Sequence, residues 1–62
     1  MSDFPELDSS ATTIEDLVQR ISTLAEKHQQ DGDETVAADL YEVERSLRAA
    51  SRRLGALLRR MG

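Results

Sequence analysis

The 62-residue chain has no cysteine, no tryptophan, one proline, one histidine and only two aromatic rings, Phe4 and Tyr41. Each scarcity removes an option. Without cysteine there is neither a disulfide nor a thiolate metal site, and His28 alone cannot build a zinc centre, so no metal and no cofactor is expected. A chain of this size buries only about 60% of the surface its unfolded form exposes. Lacking the usual staples, it has association as the remaining route to a stable core. With so few rings, that core has to be aliphatic and helix-derived, which suits a bundle better than a sandwich. No stretch approaches the roughly 20 apolar residues that a membrane span requires. The acidic start, Met1 to Asp8, lacks the positive leader and apolar run of a signal peptide, so a cytoplasmic location is expected. The absence of cysteine fits a reducing compartment.

Residues 1–11, with their acids, Pro5 and two serines, read as an extended or flexible acidic arm that still has Phe4 and Leu7 to bury. Thr12-Thr13-Ile14-Glu15 then has the form of a capping box, which predicts a first helix over about 13–30. Ile14, Leu17, Val18, Ile21, Leu24, Ala25 and His28 follow the i, i+3, i+4, i+7 spacing of one helix face. Asp31-Gly32-Asp33 supplies a glycine for a left-handed cap and an aspartate to start the next element. A second helix over about 34–60 carries Val36, Leu40, Val43, Leu47, Ala50, Leu54, Leu57 and Met61 in alternating steps of four and three. A short loop forces antiparallel packing, and the apolar positions pair at a constant sum of 64: His28 with Val36, Leu24 with Leu40, Ile21 with Val43, Leu17 with Leu47, Ile14 with Ala50. The fold class is therefore all-α, an antiparallel two-helix hairpin over 12–62 with an N-terminal arm.

On these boundaries the second helix, about 40 Å long, outruns the first, at about 26 Å. Leu54, Leu57, Leu58 and Met61 then need a cover. Either the arm, whose eleven extended residues reach about 36 Å, clasps them through Phe4 and Leu7, or a second chain does. Val18 and Ala25 widen the first stripe beyond a two-helix seam, which points to a homodimeric four-helix bundle. Ala50 and Gly55 are small enough to mark a close helix crossing, although an interior glycine could equally weaken a frayed last turn.

Charge is segregated. Residues 1–44 hold all twelve acids with only Arg20 and Lys27, whereas residues 45–62 hold six arginines and no acid, giving −10 against +6 for the net −4. Arg45, Arg52 and Arg59 recur every seven residues, about 10.5 Å apart, with Arg48 beside them and Arg53 and Arg60 flanking the seam. This row complements the helix dipole and the acidic residues of the first helix. It can also meet an acidic protein surface or phosphates, because guanidinium groups pair bidentately with both. Nucleic acid is the less favoured partner, since the pI is about 4.7 and no aromatic sits among the arginines to stack on bases. A lipid surface is disfavoured by the short apolar face and the net charge.

His28 tops the seam as a half-buried ring, and Tyr41 is expected to lie across the bundle edge with its hydroxyl in water. No nucleophile with its base and no buried carboxylate pair is apparent, so no enzyme is expected. The acids around the loop lack the twelve-residue calcium pattern. The expected function is that of a small interaction module, a regulator or adaptor that dimerises and binds a larger protein. Its contacts would be Arg45, Arg48, Arg52, Arg53, Leu54, Leu57, Leu58, Arg59, Arg60 and Met61. Nucleic-acid association through the arginine row is the alternative.

Overall fold

The computed structural model describes residues 3–62, and over that range the chain is two helices, α1 (Phe4–Gln30) and α2 (Glu34–Met61), packed against each other as a hairpin. Its Cα atoms span 49 × 14 × 12 Å. Among the described residues there is no strand.

The arm is the first correction: α1 begins at Phe4, nine residues before the expected start, and only Met1 and Ser2 of the arm lie outside the described residues. Pro5 falls in the first turn, where its missing N–H would have had no intrahelical partner anyway. The Leu7 amide closes that turn on the Asp3 carbonyl at 3.0 Å, and Glu6 lies where the helix dipole favours a negative charge. The capping-box residues sit mid-helix instead. There the Ser10, Thr12 and Thr13 hydroxyls donate to the carbonyls of Glu6, Asp8 and Ser9, one turn back, at 2.9, 3.3 and 3.1 Å. Back-bonding of this kind lets polar and β-branched residues occupy a helix they would otherwise interrupt. Phe4, Leu7, Ala11, Ile14 and Val18 are spaced three, four, three and four, so the apolar period continues to the start of α1 and all five are half-buried or buried.

With 27 and 28 residues the helices match in length, so α2 has no uncovered overhang. Phe4 reaches the far end of α2, its ring 3.4 Å from where a Cβ would stand on Gly62. Leu54 and Leu58 are half-buried. The extended clasp is replaced by a helical start of α1, which leaves Leu57 and Met61 exposed.

The loop forms as its residues dictate. The Gly32 amide donates to Gln29 and the Asp33 amide to His28, at 3.1 and 2.9 Å, with Gly32 at φ +82°; this is the Schellman ending of a helix. Asp33 then caps α2, one carboxylate oxygen accepting from the Val36 amide at 3.4 Å while the other lies 3.5 Å from His28 Nδ1.

The seam is the second correction. Its fully buried apolar residues are Val18, Ala25 and Ala37, at 4, 0 and 3% exposure. Each expected pair of the 64 register splits: one member, Val36, Leu24, Val43, Leu17 or Ala50, is exposed, and its mate is half-buried. Both helices are rolled so that Ala25 and Ala37 are buried at the contact, while the half-buried Ala11, Ser51 and Gly55 lie along the groove at its edge. The alanines Ala25 and Ala37 take buried places, and one member of each expected pair stands exposed.

The two interior glycines should respond oppositely to alanine. At Gly32 nothing obstructs a Cβ but φ is positive, so Gly32→Ala should lower stability by roughly 1 kcal/mol. At Gly55 a Cβ would meet only the Arg59 guanidinium at an ordinary 3.6 Å, so no close crossing demands glycine, and Gly55→Ala should raise stability by about 0.5–1 kcal/mol. Thermal unfolding of the two variants checks both signs.

Candidate interaction surfaces

The roll of the helices gives the hairpin two unlike sides. Two residues along a helix turn it by about 200°, so Leu17 points away from Gln19, Ala50 from Arg52 and Leu57 from Arg59. Glu15, Gln19, Arg48, Ser51 and Arg52 line a groove on one side, which continues past Asp8, Gly55 and Arg59. The opposite side carries the exposed large hydrophobic residues Leu17, Leu24, Val36, Val43, Leu57 and Met61, at 36–45% exposure. Antiparallel packing puts the shoulders of both helices on that one side, with Leu40, Leu47 and Leu54 half-buried between them. The result is a continuous apolar shoulder backed by a polar groove.

The sequence-derived contact residues divide accordingly. Leu57 and Met61 belong to the shoulder, Leu54 borders it, and Leu58 turns into the groove. Val18 and Ala25, expected to widen the stripe for a dimer, are buried inside the hairpin instead, Gly55 lines the polar groove, and Ala50 is exposed on the shoulder.

The arginines divide too. Arg48 is committed within the chain: its Nε and Nη2 donate to one carboxylate oxygen of Glu44 at 3.2 and 2.8 Å, and the Glu44 side chain is only 13% exposed. Arg45 pairs with Glu42 at 3.1 Å, both exposed, and Arg20 with Asp16 at 3.2 Å, one turn apart as the i,i+4 spacing anticipates. Arg52, Arg53, Arg59 and Arg60 make no ion pair among the described residues. Although Asp8 and Glu15 line the same grooves as Arg52 and Arg59, the expected acid–base matching between helices does not close into ion pairs there.

Tyr41 adds a contact that the sequence reading lacked, its hydroxyl donating across the hairpin to Gln29 Oε1 at 2.9 Å on the exposed edge. The sequence signal for this was the proximity of both residues to the loop. His28 is half-buried beside the loop, as its place on the apolar line implied. Among the described residues no cluster of three or more His, Cys, Asp or Glu could hold a metal ion. No described helix is long and apolar enough to cross a membrane. No protein-family model matches this chain, and no curated protein or solved structure matches it either.

Arg48 should matter to folding because its loss leaves the Glu44 carboxylate enclosed against α1 without its donor. Arg48→Met is expected to cost about 1–3 kcal/mol, and adding Glu44→Leu should restore most of it, since removing both partners leaves no unsatisfied group. Chemical denaturation of the single and double variants checks this.

Proposed function

We propose that this chain is a small non-catalytic interaction module, a cytoplasmic regulator or adaptor. Its apolar shoulder packs against a second copy to form a four-helix bundle, and the arginines behind it engage an acidic surface on a larger protein. One observation carries the reading: among the described residues three apolar ones are buried, while six large ones remain exposed along one side. A contiguous apolar side of this kind marks an association surface on a small protein. Burying it recovers hydrophobic stabilisation that the hairpin alone leaves unused.

Shoulder-to-shoulder packing leaves the polar groove of each copy facing outward. Arg52 and Arg59, which line that groove without an ion pair among the described residues, are then available to carboxylates of a partner, with Arg45 on the same heptad line. Exposed charges of this sort orient an encounter and raise its rate more than they add affinity.

Sedimentation equilibrium across a concentration series should give the mass of a dimer. Val43→Asp together with Leu57→Asp should give a folded monomer of nearly unchanged helicity, because both residues lie on the exposed shoulder outside the buried seam of Val18, Ala25 and Ala37. A wild-type chain that stays monomeric into the millimolar range overturns the self-association. Strongly salt-dependent binding to mixed-sequence duplex DNA, lost with Arg52→Ala or Arg59→Ala, would replace the protein partner with nucleic acid.

A further inference from the structure

We infer that the self-association proposed above, on which this inference rests, is antiparallel. Helix α2 of one copy lies along α2 of a second, the two loops sit at opposite ends of the bundle, and Asp39 pairs with Arg60 of the second copy at both ends.

The first support is the order of the α2 stripe. Val36, Leu40, Val43, Leu47, Ala50, Leu54, Leu57 and Met61 are spaced four, three, four, three, four, three, four, which reads the same in both directions. Reversing a second copy therefore sets Val36 against Met61, Leu40 against Leu57, Val43 against Leu54 and Leu47 against Ala50, leaving no apolar residue of the stripe without a mate. The two-fold axis passes between Leu47 and Ala50. At that level α1 carries Leu17, because Val18 and Arg48 line one groove, so an exposed leucine from each copy meets at the axis as well.

The second support is charge along the edge of the stripe. Ala37, Glu44, Ser51 and Leu58, one edge, are buried or half-buried against α1, whereas Asp39, Ser46, Arg53 and Arg60, the other, are all exposed. Asp39 lies between Val36 and Leu40, whose mates in the reversed copy are Met61 and Leu57, and the edge residue between those two is Arg60. Asp39 therefore meets Arg60, and Ser46 meets Arg53 by the same count. Neither Asp39 nor Arg60 has an ion pair within the chain among the described residues.

The third is charge along the whole hairpin. Residues 20–44, the loop half, hold seven acids and two bases, a net −5, while residues 3–19 and 45–62 hold five acids and six arginines, a net +1. A dimer with both loops at one end would stack −5 on −5. The antiparallel dimer sets each loop half against an arginine-bearing half. From Val36 to Met61 the shoulder runs about 38 Å, and two helices side by side are roughly 20 Å wide. That footprint, on the order of 750 Å², is close to the ~800 Å² per partner of a standard stable interface.

Charge reversal with disulfide trapping tests this. Asp39→Arg or Arg60→Asp should each raise the dimer dissociation constant roughly tenfold at low salt, and the double exchange should restore it, because it rebuilds the pair with opposite polarity. Since the chain has no cysteine, Val36→Cys and Met61→Cys chains can be mixed and oxidised, and the mixed disulfide should form in preference to either self-linked product. A dimer by sedimentation that neither responds to the reversals nor gives the mixed disulfide overturns the antiparallel arrangement and leaves self-association standing. A monomeric wild-type chain removes self-association itself, and the orientation with it.

Discussion

Two helices lying side by side share a single line of contact, and each can turn only part of its circumference towards it. Both helices here carry apolar stripes wider than that line, so some apolar residues must be left outside. Ala25 and Ala37 are buried with Val18, and Ala11, Ser51 and Gly55 lie half-buried along the groove beside them. Leu17, Leu24, Val36, Val43, Leu57 and Met61 are left exposed together on one side. The apolar shoulder is a consequence of how the helices meet.

Polar interactions in this hairpin are mostly local and set the geometry of its elements more than their association. The Schellman bonds end α1, Asp33 starts α2, and the ion pairs of α1 and α2 run within a single helix. Exposed pairs of that kind contribute little to stability. Two interactions differ from these, one by linking the helices and one by its enclosure. Tyr41 ties α2 to Gln29 near the loop, and the Glu44–Arg48 pair neutralises a carboxylate held against α1. The remaining cohesion comes from a thin apolar seam, which is why covering the shoulder would add stability and function at once.

The two sides of the hairpin suit different partners. In the proposed reading, an apolar side with a palindromic stripe would accept its own copy, and a polar side with arginines that make no ion pair among the described residues would accept carboxylates. Because the sides are opposed, occupying one leaves the other accessible, so a dimer would offer two outward-facing charged surfaces. The acid-rich loop half and the arginine-rich half act in the same direction, favouring opposed ends over matched ones.

Much of the architecture could be read from the residues. The four-and-three spacing on α2 specified a helix and its apolar stripe, and Asp31-Gly32-Asp33 specified the turn, because both depend on local backbone geometry that neighbouring residues control. The helical start of α1 was legible in the spacing of Phe4, Leu7, Ala11 and Ile14. Pro5, the serines and the Thr12–Glu15 box obscured it, since the same residue types that cap a helix can also back-bond inside one. The roll of the helices was not legible. Every residue of an apolar stripe is equally hydrophobic on paper, and which of them enters the seam depends on how closely two backbones can approach, a property of the pair. The sequence by itself determined two amphipathic helices, their turn and their segregated charge. Only the tertiary structure decided that Val18, Ala25 and Ala37 face inward and that Leu17, Leu24, Val36, Val43, Leu57 and Met61 remain outside, because the roll of each helix is set by the fit of the pair.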